Sequence, residues 1–169
     1  MMAITYNAGE VFEIAVQIER NGARFYGRAA ERLDDPEVCG LLEDLARMEE
    51  AHERVFRAMR RELAEREQPE TMFDPNAEAG EYLRAVAGGK VFDLRVDPTD
   101  WLEEGERTRE DVLRKAIQVE KDSIIYYLGI KEAVPEDLGR ERIDGIIRQE
   151  MTHLSLLGTA LESAAGSSK

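Results

Sequence analysis

The chain has 169 residues, 43% hydrophobic and 35% charged, with 36 acidic against 23 basic side chains and a formal net charge of −13. That length suits one domain spanning 1–169 with apolar residues enough for a buried core. So acidic a chain repels phosphate backbones and anionic lipid surfaces, which argues against nucleic acid or membranes as partners and in favour of cations.

Taken in chain order, Asn7 with Glu10 three residues on forms a helix-start signal, and Phe12, Ala15, Ile18, Glu19, Gly22, Tyr26 and Ala29 then recur at helical spacing. The first helix is expected over 8–33. Asp35 followed by Pro36 is a cap and a favoured first-turn residue, opening a second helix to about Glu67. Its inward stripe is Leu42, Leu45, Met48, Glu49, His52, Val55, Phe56 and Met59. Over 68–107 the periodicity fails among Pro69, Pro75, Gly80, Gly88, Gly89, Pro98 and Gly105, with only 76–87 expected as a short helix. Such a length exceeds a hairpin turn and fits a crossover along a bundle, with Trp101 plugging it onto the helices. Thr108 and Asp111 open a third helix as a capping box, running to about Ala133, and Pro135-Glu136-Asp137 leads into a fourth over about 138–164. Two long helices, a crossover and two more predict an all-α four-helix bundle.

Slid on itself by 101 residues, the sequence aligns 11–60 with 112–161 without a gap. The identical pairs are Val11/Val112, Ala15/Ala116, Gln17/Gln118, Glu19/Glu120, Tyr26/Tyr127, Glu31/Glu132, Arg47/Arg148, Glu49/Glu150 and His52/His153. The chain therefore reads as a helical hairpin duplicated and fused. Both histidines stand in Glu-x-x-His; with 25 glutamates in the chain, chance would place a Glu at i−3 of both only roughly 2% of the time on the i, i+3 relation of a helix.

Glu49 and His52 lie one turn apart on one helix face, as do Glu150 and His153, so each pair aims a carboxylate and an imidazole inward. Glu19 and Glu120 add one carboxylate from each remaining helix. Four buried glutamates repel one another, and no Lys or Arg on these stripes offsets them, so divalent cations are the economical partners. Four carboxylates match the charge of two divalent ions. Mixed oxygen and nitrogen ligation suits iron or manganese, with zinc as an alternative. Cys39, the single cysteine, excludes an internal disulfide and a four-thiolate centre. It precedes His52 by 13 residues, about 20 Å of helix, too far to be a ligand.

The array Glu19, Glu49-x-x-His52, Glu120, Glu150-x-x-His153 resembles the ferritin-like carboxylate-bridged di-iron proteins. Its Glu-to-Tyr spacing, short hairpins and duplicated halves are most similar to the rubrerythrin group, over nearly the whole chain. The resemblance implies two iron ions bridged by Glu49 and Glu150, with Glu19 and Glu120 as terminal carboxylates and His52 and His153 each capping one metal. Tyr26 and Tyr127 would be partners of the terminal carboxylates. Rubrerythrins usually carry a further Glu three residues after the third-helix ligand, where this chain has Ser123, and commonly a four-cysteine rubredoxin domain, for which Cys39 alone does not suffice.

The leading expectation is a di-iron oxidoreductase of peroxidase or ferroxidase type that takes O2 or hydrogen peroxide and draws electrons from an external donor protein. Its alternatives are a non-catalytic iron-binding or storage module and a di-iron hydroxylase of an organic substrate. A homodimer or higher homo-oligomer is expected. Met1–Asn7 lacks a basic segment leading into an apolar one, and the longest nearly uncharged apolar run, 124–130, is too short for ~30 Å of hydrocarbon, so a cytoplasmic location is expected. Gln17/Gln118 and Arg47/Arg148 are read as structural pairs, and Met48, Met59 and Met151 as core or near-core fillers.

Overall fold

The computed structural model describes residues 8–65, 78–87, 97–134 and 136–166. Asn7, Asn76, Pro69, Pro75, Gly88, Gly89, Pro135 and the tail 167–169 lie outside them, as do 68–77 and 88–96 of the expected crossover. Among the described residues there are six α-helices: α1 (Ala8–Ala30), α2 (Pro36–Ala64), α3 (Glu78–Ala87), α4 (Pro98–Glu103), α5 (Arg109–Ala133) and α6 (Arg140–Gly166). No strand occurs among the described residues, and no helix there is long and apolar enough to cross a membrane. The all-α bundle is thus as expected, with α1 paired along α2 and α5 along α6, and α1 meeting α5 and α2 meeting α6 where the hairpins face.

Local chemistry sets the ends of these helices. The last turn of α1 tightens through Arg32 N–H to the Ala29 carbonyl, so it stops at Ala30, three residues before the expected end. Asp35 then caps α2, accepting from the backbone N–H groups of Glu37 and Val38 at 3.0 and 3.1 Å, with Pro36 at the first position. The Cys39 thiol donates to the carbonyls of Ala30 and Leu33, closing the turn and keeping it away from any ligand role. Thr108 and Asp111 form the expected capping box of α5. A 3-10 turn, Glu136–Leu138, precedes α6, which consequently begins at Arg140 rather than at Leu138.

The loop segment also holds α4, which periodicity did not reveal. Asp97 caps it by accepting from Thr99 N–H at 2.9 Å. Leu102, fully buried, plugs it onto the bundle, while Trp101 is only partly buried beneath the Arg107 guanidinium, 4.3 Å from the ring centroid. α3 lies on α5, with the Tyr82 hydroxyl donating to the Ile125 carbonyl at 2.6 Å. Gly129 permits this approach, since a Cβ there would stand 2.4 Å from the Tyr82 ring.

Among the described residues, two apolar clusters fill the interior. Phe12, Phe56, Met59, Tyr126, Tyr127 and Ile143 belong to one, and Phe25, Tyr26, Leu42, Leu45, Leu113 and Leu157 to the other. Each fully buried Leu or Phe contributes about 1.5–3 kcal/mol relative to exposure. Met59 is core and Met48 partly buried, but Met151 is 58% exposed and fills nothing, a correction to the expected role. On the periphery, Arg109 holds three elements together: its guanidinium pairs with Asp35 at 2.6 Å and donates to the Ala164 carbonyl at 3.2 Å.

Candidate metal centre

Polar side chains interrupt the apolar interior where all four long helices face one another. Glu19 comes from α1, Glu49 and His52 from α2, Glu120 from α5, and Glu150 and His153 from α6; all six are buried. The helical i, i+3 relation puts each Glu and His of a pair on the same inward stripe, as the repeat requires. No Lys or Arg is buried beside them among the described residues.

Their ligating atoms converge in two overlapping groups, Glu19–Glu49–His52–Glu150 and Glu49–Glu120–Glu150–His153, each within 4.8 Å. Glu49 and Glu150 belong to both. His52 Nδ1 lies 2.9 Å from Glu150 Oε1 and 3.5 Å from Glu19 Oε2. His153 Nδ1 lies 3.2, 3.4 and 3.0 Å from oxygens of Glu49, Glu120 and Glu150. Two atoms each about 2.1 Å from one ion, at right angles about it, stand about 3 Å apart, which is the spacing seen. None of these approaches has hydrogen-bond geometry: Glu19 Oε2, Glu49 Oε1, Glu120 Oε2, both Glu150 oxygens and both Nδ1 atoms are buried without a hydrogen-bond partner. Orphaned polar atoms in a buried layer carry a heavy desolvation penalty, and a cation at each group would satisfy them together. The residues present therefore fit a di-metal centre.

Electrostatics agree with that fit. Burial, and then the Glu150 charge, hold the Glu19 carboxyl well above its usual range; burial and the Glu19 and Glu120 charges do the same to Glu49. Burial, with Glu150 beside it, raises Glu120 to about 8. Burial and Glu49 push upward on Glu150 as well, but Glu120, His153 and His52 outweigh them and leave it below the ordinary value. Burial alone would lower His153, yet the carboxylates of Glu120, Glu150 and Glu49 push it up to about 12. Protons thus occupy the places that metal charge would otherwise neutralise.

The structure brings both expected tyrosines to the cluster, and in a crossed manner. Tyr127 of α5 donates its hydroxyl to Glu19 Oε1 of α1 at 2.5 Å, while Tyr26 of α1 donates to Glu120 Oε1 of α5. Each tyrosine serves the carboxylate of the other repeat. Both phenols are pushed far above their usual range, first by burial and then by the nearby glutamates, so they remain protonated donors. Gly22 lets α1 come close to the cluster, for a Cβ there would be 3.1 Å from Glu49 Oε2. At the repeat-equivalent place Ser123 is buried and gives its hydroxyl to the Val119 carbonyl, so it adds no carboxylate. The imidazoles of His52 and His153 stack, centroids 5.7 Å apart.

One contact at the site escapes pattern reading: His52 Nε2 and Gln149 Oε1 are 2.7 Å apart across α2 and α6. Its only trace in the sequence is that Gln149, next to a repeated Glu, aligns with the dissimilar Met48. The pairs Gln17/Gln118 and Arg47/Arg148 lie outside the cluster in local bonds, Gln17 with Asn21, Gln118 with Asp122, Arg47 with Asp44 and Arg148 with Asp144.

Comparison with known proteins agrees with this architecture. The chain is similar to a ferritin-like diiron-carboxylate protein from Thermotoga maritima of known crystal structure, with a TM-score of 0.70 and 24% sequence identity over 96% of this chain and 99% of that one. At that identity the likeness establishes the fold. A search of curated proteins finds no significant match. The family model for rubrerythrin matches residues 10–157, nearly all of the bundle, and the chain belongs to the rubrerythrin family.

Proposed function

We propose that the six side chains hold two iron ions and that the protein is an oxidoreductase consuming O2 or hydrogen peroxide. One observation carries the reading: two four-residue groups share Glu49 and Glu150, so two ions would sit side by side with common carboxylates. Iron bound there would supply the electrons that reduce the oxidant.

The chain's own residues do the rest. Glu49 and Glu150 stand between the subsites, Glu19 and Glu120 close the flanks, and His52 and His153 present Nδ1 to one group each. Tyr127 and Tyr26 hold a proton on the outer oxygens of Glu19 and Glu120 and fix those carboxylates in rotation. Apolar clusters on either side keep bulk water from the polar layer. Ser123 leaves the site with four glutamates, and reducing equivalents are expected from a separate donor protein.

The test is anaerobic reconstitution with Fe²⁺, metal analysis, and then mixing with hydrogen peroxide or O2. Two ions per chain, oxidised faster than free Fe²⁺ and re-reducible for further cycles, are expected. Two tightly held ions that oxidise no faster than free Fe²⁺ would make the protein a binding or storage module instead.

A further inference from the structure

The two halves of the centre are built from repeated residues, yet they are not alike. His52 Nε2–H donates to Gln149 Oε1 at 2.7 Å, so the neutral imidazole that ligates a metal keeps its lone pair on Nδ1, which faces Glu19 and Glu150. The repeat relation that carries His52 to His153 carries Gln149 to Met48. A thioether is a weak acceptor, and His153 Nε2 is buried with no hydrogen-bond partner. One imidazole therefore has its tautomer and ring orientation fixed from behind, and the other does not.

We infer that Gln149 is a positioning residue that makes the two metal subsites unequal, so that the subsite of Glu19, Glu49, His52 and Glu150 binds its ion first and more tightly than that of Glu49, Glu120, His153 and Glu150. A partner to the outer nitrogen of a ligating histidine is worth about 10- to 100-fold in metal affinity. This sets the expected gap between the two binding steps. Gln149 suits the role because its side chain reaches the buried imidazole from the exposed surface of α6, so it adds no further buried orphan. The inference rests on the di-metal reading but concerns only the order of filling.

The experiment is titration of metal-free protein with Co²⁺, followed by the ligand-field bands of the bound ion and by calorimetry, for the wild type and three variants. Wild type should bind two ions in steps separated about 10- to 100-fold. Gln149→Met, which makes the halves alike, should merge the steps by weakening the first. Gln149→Glu retains an acceptor for Nε2–H and should preserve the separation. Met48→Gln should strengthen the second step toward the first. Metal-free Gln149→Met should keep the helix content of the wild type by circular dichroism at the temperature of the titration, which separates a local effect from a folding one. Two resolved steps that Gln149→Met leaves untouched, or two equal steps in the wild type, would overturn the inference while leaving the di-metal reading intact. No Co²⁺ bound by the wild type would instead overturn the di-metal reading beneath it.

Discussion

Glu120→Gln isolates the energetic burden that the metal-free site places on the fold. In the folded chain this carboxyl titrates at about 8 instead of 4.5, because burial and the neighbouring Glu150 disfavour its charge. The folded state therefore keeps a proton that the unfolded chain gives up between those two values. Stability from this group is complete below pH 4.5 and is lost as pH rises toward 8. At about 1.4 kcal/mol per pKa unit, the displacement corresponds to a ceiling of about 5 kcal/mol. For a chain of this size each kcal/mol moves the melting temperature by about 2–4 °C. An amide at position 120 cannot ionise, so the variant escapes this loss. Chelator-treated wild type and variant should be melted side by side from pH 5 to 8.5, followed by circular dichroism. The margin in favour of the variant should widen steadily with pH, reaching about 10 °C at the alkaline end. A margin that stays constant or narrows would refute the account of Glu120 as a buried acid whose proton metal replaces.

Other consequences are as direct. Glu49→Gln and Glu150→Gln each touch both ligand groups and should abolish binding of both ions, whereas Glu19→Gln should leave about one of them on the ligand-group count that places it in a single group; equal losses by metal analysis would remove the bridging assignment. Tyr127→Phe leaves a buried Glu19 oxygen without its donor and should lower metal-free stability by about 1–3 kcal/mol in urea. An unchanged urea midpoint would show that the crossed bond carries no energy. Gly22→Ala places a methyl 3.1 Å from Glu49 Oε2 and should weaken metal binding while the helix content persists, whereas Gly27→Ala meets nothing within 4 Å and should stabilise by about 0.5–1 kcal/mol; similar metal affinities in the two variants would contradict the close approach. Metal uptake near pH 7 should release protons from Glu19, Glu49 and Glu120 into a weak buffer, detectable with an indicator dye, and retention should fall as pH drops. Uptake without proton release would mean these carboxyls are already ionised.

Much of the architecture was legible because it is local. Asp35-Pro36 and the Thr108–Asp111 box mark helix starts with side-chain chemistry that acts within three residues, and both act as expected. The six-residue cluster was legible for a different reason: duplication repeats the inward polar residues at a fixed offset, which few surface charges keep beyond Glu31/Glu132 and Arg47/Arg148. What escaped depends on contacts between helices. α4 is too short for a period to register, although Asp97-Pro98 repeats the start signal of α2. The family resemblance implied Tyr26 and Tyr127 as partners of the terminal carboxylates but not which carboxylate each would reach, since a bond across helices depends on how the hairpins dock. Met151 follows the inward-facing Glu150 in sequence, but a helix turns by about 100° per residue, and that turn carries its side chain to the outside.

The crossed tyrosines also bear on how the molecule comes together. Either hairpin alone would hold a glutamate lacking its phenol and a phenol lacking its glutamate, and docking cures both deficits in one event. Such reciprocity is the hallmark of an isologous contact between equal partners, in which each supplies what the other lacks. Here the two partners are successive stretches of one chain, so the effective concentration of each half for the other is set by the intervening 68–107 segment rather than by how much protein is present. A pairing that two separate hairpins could achieve only by encounter is thereby guaranteed at any dilution.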